Sequence, residues 1–242
     1  MKYILEVVDA TKRFGGLMAN EGITFNVEEG EIVGIVGPNG AGKTTLFNSL
    51  SNAHHLTRGS IHFNGLDITK KSAHEICKLG IGRTFQIPQS IDELTVAENV
   101  LVGALCHIKS MNKAKIYADE IMDKCGILRL ANLPAGKVNV GQKKRLEIAR
   151  ALATKPCLLL LDETMAGLTA TERAESLGLI RRLNAEGITI LTIEHNMDVV
   201  MNVSNRVVVL ISGKVLTIGT PAEVTSHEEV ISAYLGEKKK HA

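Results

Sequence analysis

The sequence predicts an α/β protein with a mostly parallel sheet, an antiparallel β portion at its start and a small helical portion in its middle. Three observations lead there. Short apolar runs at Ile32 to Val36, Leu158 to Leu161 and Ile188 to Ile193 have the continuity of strands buried on both faces. Helical sequence precedes the second and third runs, and strands alternating with helices imply crossovers in a parallel sheet. From about Val96 to Leu130 no strand pattern appears.

The elements follow in order. Ile23, Phe25 and Val27 alternate with polar residues, as do Ile61 and Phe63, which is the period of a half-buried strand. Asn64-Gly65 is a strong hairpin turn. The run Ile32 to Val36 meets a glycine-rich turn, and Lys43 to Leu50 reads as a helix. Tyr117, Ile121, Cys125 and Leu128 fall at helical spacing, with Lys115, Asp119, Glu120 and Lys124 on the other faces. Near the end, Val207 to Leu210 and Lys214 to Ile218 flank Ser212-Gly213 as a hairpin. Thr220-Pro221-Ala222-Glu223 then has the N-cap, first-turn proline and N3 glutamate of a capping box.

Length and charge narrow the class. The 242 residues fit one large domain, spanning 1–242. Its expected parts are a core with the β portion over 1–95 and 150–242, and a helical portion over 96–149. With 28 basic against 26 acidic residues the net charge is only +2, which argues against a dedicated nucleic-acid binder. The scarcity of aromatics and the absence of Trp argue against stacking platforms for single strands. The first nine residues meet acidic side chains before any signal-peptide core accumulates. Apolar runs such as Cys157 to Leu161 fall far short of the ~20 residues that span a membrane. Cys77, Cys106, Cys125 and Cys157 lack zinc-site spacing and read as buried free thiols.

Gly37-Pro38-Asn39-Gly40-Ala41-Gly42-Lys43-Thr44, followed by Thr45, matches the phosphate-binding pattern G-x-x-x-x-G-K-[ST]. Glycines let backbone N–H groups close around phosphate oxygens, and the following helix directs its positive end at them. Lys43 would reach the β- and γ-phosphates of ATP, and the Thr44 hydroxyl would ligate Mg²⁺. A buried strand before the pattern and a helix after it give the context such a loop requires. Leu158 to Leu161 ends in Asp162-Glu163, at the carboxyl end of a strand, where open parallel sheets bind ligands. Asp162 suits the Mg²⁺ shell, and Glu163 suits a general base or orienter for an attacking water.

With these motifs in place, the chain resembles the ATP-binding subunits of ABC transporters over nearly its whole length. The resemblance implies that Phe14 stacks on adenine. Gln86, in Arg83-Thr84-Phe85-Gln86, would sense Mg²⁺ and the membrane partner. Val138-Asn139-Val140-Gly141-Gln142 stands at the signature motif, so Asn139, Gly141 and Gln142 would meet the γ-phosphate bound by a second subunit. Ala166-Gly167-Leu168-Thr169 matches the loop that crosses the dimer, and His195 the switch histidine. Phe14-Gly15-Gly16-Leu17, Gly82 to Gln86, Glu93 to Val100, Ile193 to Met197 and Ala233-Tyr234-Leu235-Gly236 look like the branched-chain amino-acid importer type.

That type implies a second ATPase subunit and integral-membrane permeases that contact the Gln86 to Val100 stretch. It also implies an extracytoplasmic binding protein, and a place at the cytoplasmic face of the membrane. Ile87, Pro88, Ile91 and Leu94 would line the permease groove. Three positions depart from the family: Asn139 where a serine is usual, Thr164 where a proline usually follows the glutamate, and Asn196 where an aspartate is common. Thr164 would loosen the turn after Glu163. The rival readings are an exporter ATPase for lipid or polysaccharide, a nucleotide-binding regulator with little hydrolysis, and a DNA-handling ATPase.

Overall fold

A computed structural model describes residues 3–194 and 197–238, with side chains through residue 233. In chain order the strands are β1 (Tyr3–Phe14), β2 (Leu17–Glu28), β3 (Ile32–Val36), β4 (Arg58–Phe63), β5 (Leu66–Asp67), β6 (Ile81–Arg83), β7 (Leu158–Asp162), β8 (Thr189–Ile193), β9 (Arg206–Ile211) and β10 (Lys214–Gly219). The helices are α1 (Lys43–Leu50), α2 (Ala73–Leu79), α3 (Val96–Ala104), α4 (Met111–Lys124), α5 (Val140–Ala153), α6 (Ala170–Ala185), α7 (Met197–Val203), α8 (Pro221–Ser226) and α9 (Glu228–Lys238). They group into two compact units, Met1–Ala73 with Thr189–Ala242, and His74–Ile188.

In the first unit an antiparallel sheet runs β2-β1-β4-β5. The β1–β2 hairpin turns at Gly15-Gly16, pairing Phe14 with Leu17. The expected Asn64-Gly65 turn joins β4 to β5, with both residues at positive φ (50° and 76°). A second group of strands runs β10-β9-β3-β8, with β3 parallel to both β9 and β8 and β10 antiparallel to β9. Every residue of β3 is buried, as its unbroken apolar run requires. A Cβ on Gly34 would lie 2.4 Å from Val200 Cγ1, so α7 rests directly against the β3 backbone. Val36, Val200, Val207, Val209 and Val224 share one buried cluster there.

In the second unit β6 and β7 pair in parallel, Ile81 with Leu158 and Arg83 with Leu160. The sequence pattern had marked β7 but not the three-residue β6. Helix α3 starts from a reciprocal capping box between Thr95 and Glu98. Its Gly103 lets α5 approach, because a Cβ there would stand 2.5 Å from the Arg150 carbonyl oxygen. Helix α4 buries Ala114, Ala118, Ile121 and Met122.

Two expectations are corrected. The helical spacing from Tyr117 predicts a helix through Leu128, but α4 ends at Lys124. Gly126 turns the chain at φ 70°, and Leu128 opens a separate 3-10 turn and is exposed. Of the four cysteines, all free, only Cys125 is buried; Cys77 and Cys106 are half-buried and Cys157 is exposed. Among the described residues no helix is long and apolar enough to cross a membrane.

Candidate functional site

The phosphate loop lies between β3 and α1 in the first unit. Its glycines are dictated by close approach. Gly42 sits at φ 93°, and a Cβ there would lie 2.3 Å from Asn20 Nδ2 and 2.4 Å from the Ala19 carbonyl. At Gly37 a Cβ would meet the Leu210 carbonyl at 2.2 Å. Buried Lys43 curls back over the loop, its Nζ donating to the carbonyls of Gly37 (2.7 Å) and Pro38 (3.0 Å). Those are the interactions an ammonium exchanges for phosphate oxygens. Ala41 is buried, Asn39, Gly40 and Thr44 are exposed, and Thr45 is half-buried.

Helices α3, α5, α6 and α8 each open with a reciprocal capping box, whereas no side chain caps α1 at Gly42. A helix start without a side-chain cap, behind a glycine loop, is where an anion binds. Two supports of this loop escaped sequence reasoning. Asn20, on β2 and 1% exposed, donates from Nδ2 to the Gly42 carbonyl at 3.0 Å. Gly213, at the tip of the β9–β10 hairpin, donates its N–H to the Ala41 carbonyl at 3.2 Å. Asn20 carries no sequence signal, and Gly213 reads only as a hairpin turn.

Phe14 is 41% exposed at the β1–β2 tip, so it is not a core residue. His54 packs edge-to-face on it at 5.3 Å, and Lys12 Nζ stands 4.8 Å from its ring centre.

In the second unit the structure brings the end of β7 against the segment after β6. Asp162, 1% exposed, accepts from Arg83 Nη2 at 3.2 Å. Its backbone N–H donates to the Thr84 hydroxyl at 3.0 Å. Buried Glu163 accepts from Gln86 Nε2 at 2.8 Å, and its carbonyl accepts from Lys144 Nζ at 2.7 Å. Glu163 takes φ 50°, a left-handed conformation uncommon for a glutamate, which fits a side chain held for function. A proline at position 164 would push Glu163 towards extended backbone, whereas Thr164 places no such restriction on its φ of 50°. Thr164 is buried, and a long Ala166 N–H to Glu163 carbonyl bond (3.3 Å) closes the turn.

Helix α5 holds the other side of the Gln86 segment. Burial pushes the Glu147 carboxyl above its ordinary range, opposed by the neighbouring Arg150 and by hydrogen bonds from the backbones of Gln89 and Phe85. Arg150 Nη1 in turn donates to Glu147 and to the Gln89 carbonyl. Buried Asn99 pins the next stretch, accepting from Ile91 N–H (2.9 Å) and donating to the carbonyls of Ile91 and Thr95 (both 3.0 Å). Ile87 and Ile91 remain exposed, while Pro88 and Leu94 are half-buried.

At the start of α5, Asn139 and Gln142 form a capping box: Asn139 Oδ1 accepts from Gln142 N–H (2.8 Å), and Gln142 Oε1 from Asn139 N–H (3.0 Å). The Asn139 amide therefore spends its oxygen on the helix and keeps its NH₂ as a donor. At Gly141 a Cβ would stand 2.5 Å from Glu172 Oε1, so a larger residue would have to displace that side chain. That carboxylate caps α6 through the N–H (2.9 Å) and hydroxyl (2.8 Å) of Thr169. His195 lies outside the described residues.

In the first unit the Thr44 hydroxyl is exposed; in the second, Asp162 offers carboxylate oxygens and Gln86, whose amide nitrogen donates to Glu163, offers its amide oxygen. These are hard oxygens, which suit Mg²⁺. Among the described residues no group of three His, Cys, Asp or Glu forms a metal cage.

Residues 20–166 match the family model described as ABC transporter, and residues 214–240 match that of the branched-chain amino acid ATP-binding cassette transporter. The chain is 40% identical to the high-affinity branched-chain amino acid transport ATP-binding protein BraF of Pseudomonas aeruginosa, over 97% of this chain and 98% of that protein. A crystal structure of an ATP-binding cassette of an ABC transporter in its ADP conformation superposes with a TM-score of 0.88 at 32% identity, covering 98% of this chain and 100% of that one. A dimeric ATP-binding cassette in a post-hydrolysis state, bound to ADP and Pi, matches with a TM-score of 0.83 at 27% identity, over 90% of this chain and 98% of that one.

Proposed function

The chain belongs to the ATP-binding subunits of ABC transporters of the branched-chain amino-acid type, and on that premise we propose that paired subunits close on ATP to drive amino-acid import through partner permeases. It is a transport ATPase. The branched-chain amino acid transporter match over residues 214–240 and a transport relative at 40% identity favour import over the exporter, regulator and DNA-handling readings.

Each residue has a role in this reading. The amides of Gly37 to Thr45, Asn39, Gly40, Ala41 and Gly42 among them, cradle the phosphates. Lys43 gives up its two loop carbonyls for the β- and γ-phosphate oxygens, and so stabilises charge on the transferring group. Phe14 offers its exposed face to adenine. Thr44, Asp162 and the Gln86 amide oxygen would hold Mg²⁺. When bound, that ion neutralises charge on the phosphate oxygens. Glu163 orients water and accepts its proton, with Gln86 and Lys144 fixing its position. His195 contacts the γ-phosphate or the water.

Asn139 NH₂, Gly141 and Gln142 meet the γ-phosphate held by the other subunit. Closure depends on that phosphate and relaxes once it is lost, a two-state switch. The Gln86 to Val100 stretch, with Ile87 and Ile91 exposed, receives the permease. The subunit thus lies at the cytoplasmic face of the membrane, while a binding protein delivers cargo from outside.

The observation that carries the hydrolytic reading is Glu163, buried and held at 2.8 Å by Gln86. The deciding experiment is sedimentation of Glu163→Gln with and without MgATP, beside the steady-state ATPase of the unaltered chain. The variant is expected to bind ATP, dimerise with it and lose nearly all turnover. Wild-type turnover by the variant would remove the assigned role of Glu163.

A further inference from the structure

The least expected contact beside the carboxylate pair is the one between Arg83 and Asp162. Arg83 Nη2 lies 3.2 Å from Asp162 Oδ2, with side chains 7% and 1% exposed. A lone carboxylate this deeply buried is costly, and an adjacent guanidinium offsets that cost. The guanidinium is itself held. It stands 4.9 Å from the Phe85 ring centre, and burial lowers its proton affinity while Asp162 raises it. Thr84, the next residue, accepts from the Asp162 N–H at 3.0 Å. The segment after β6 therefore grips both the side chain and the backbone of Asp162.

Under the reading above, Asp162 is also a carboxylate for the nucleotide's cation, and the two positive partners contend for one anion. We propose that Arg83 is the resident counter-ion of Asp162, a positioning residue that keeps the carboxylate aimed before nucleotide binds and gives way to Mg²⁺ when nucleotide arrives. Arg83 thereby sets the Mg²⁺ concentration at which the site fills. This inference rests on the assignment of Asp162 to the cation.

The test is the Mg²⁺ dependence of mant-ADP binding, read by fluorescence at constant ionic strength and at pH 8. Arg83→Gln keeps a hydrogen-bond donor and removes the charge. Its half-saturating Mg²⁺ is expected to fall on the order of tenfold, because a full positive charge beside the ion's carboxylate has gone. Binding in EDTA should stay unchanged. Arg83→Lys, which restores the charge without the fork, should return the midpoint to within about twofold of the wild type. A merely structural Arg83 would lower the melting temperature and leave the Mg²⁺ midpoint in place, which overturns the proposal. If Arg83→Gln fails to fold, a structure of the unaltered chain with MgADP decides. An Arg83–Asp162 separation lengthened beyond hydrogen bonding is expected, and an intact pair beside the bound ion overturns the proposal. A wild-type chain that binds no mant-ADP at any Mg²⁺ concentration would instead overturn the nucleotide-site reading on which the inference stands.

Discussion

Glycine and asparagine do different work at the two candidate phosphate-binding segments. At Gly42 the backbone is left-handed and hemmed in by Asn20 and Ala19, so no other residue fits. At Gly141 the obstacle is a side chain, the Glu172 carboxylate, which is engaged with Thr169. Gly141→Ala should therefore push Glu172 away from its cap and lower the melting temperature by about 2 °C. Thermal unfolding checks this, and an unchanged melting temperature would mean that Glu172 moves aside without releasing Thr169. Asn139, the departure at the signature serine, functions as an N-cap with a donor to spare.

The helices also carry a pH dependence. In the capping boxes of α3, α6 and α8, backbone N–H bonds from Thr95, Thr169 and Thr220 hold the carboxyls of Glu98, Glu172 and Glu223 below the ordinary glutamate value of 4.5, with the threonine hydroxyls adding to the effect. A lowered folded-state value means that the unfolded chain binds protons first. The stabilisation is thus complete above pH 4.5 and is lost as pH falls through the folded values. Buried Glu147, raised above 4.5, has the opposite sign: its contribution is fully present below 4.5 and declines as pH rises above it. Melting temperatures of the wild type and of Glu98→Gln/Glu223→Gln, followed from pH 5 to pH 3, should show a shallower acid loss in the variant. Equal slopes would mean that these caps add nothing.

At the scale of the whole molecule, the second unit ties a surface to a site. The segment from Arg83 to Ile91 is held on one side by the end of β7, through Asp162 and Glu163, and on the other by α5, through Glu147 and Arg150. A partner pressing on Ile87 and Ile91 would thus move the residues that fix both carboxylates. Ile91→Asp is expected to leave ATP hydrolysis by the isolated subunit near the wild-type rate and to abolish amino-acid uptake in vesicles that carry the permeases. Unimpaired uptake would place the permease contact elsewhere.

The phosphate loop, the Asp162-Glu163 strand end, the Asn64-Gly65 and Ser212-Gly213 hairpins and the α/β class were legible in the sequence because each depends on neighbours in the chain. A glycine pattern, an apolar run or a capping box is read within about ten residues. The α4 ending was missed because Gly126 stops a helix whose apolar spacing runs on to Leu128. The contacts that make the candidate site were not legible at all: Asn20 supports Gly42 from 22 residues away, and Arg83 reaches Asp162 across 79. No spacing rule links such pairs, because strand pairing and helix packing, through the parallel register of β6 on β7 and the approach of α5, bring them together. The sequence by itself determined which groups are available for phosphate, cation and water. Tertiary structure decided which of them hold one another, because a buried charge or amide takes its partner from whatever packs beside it.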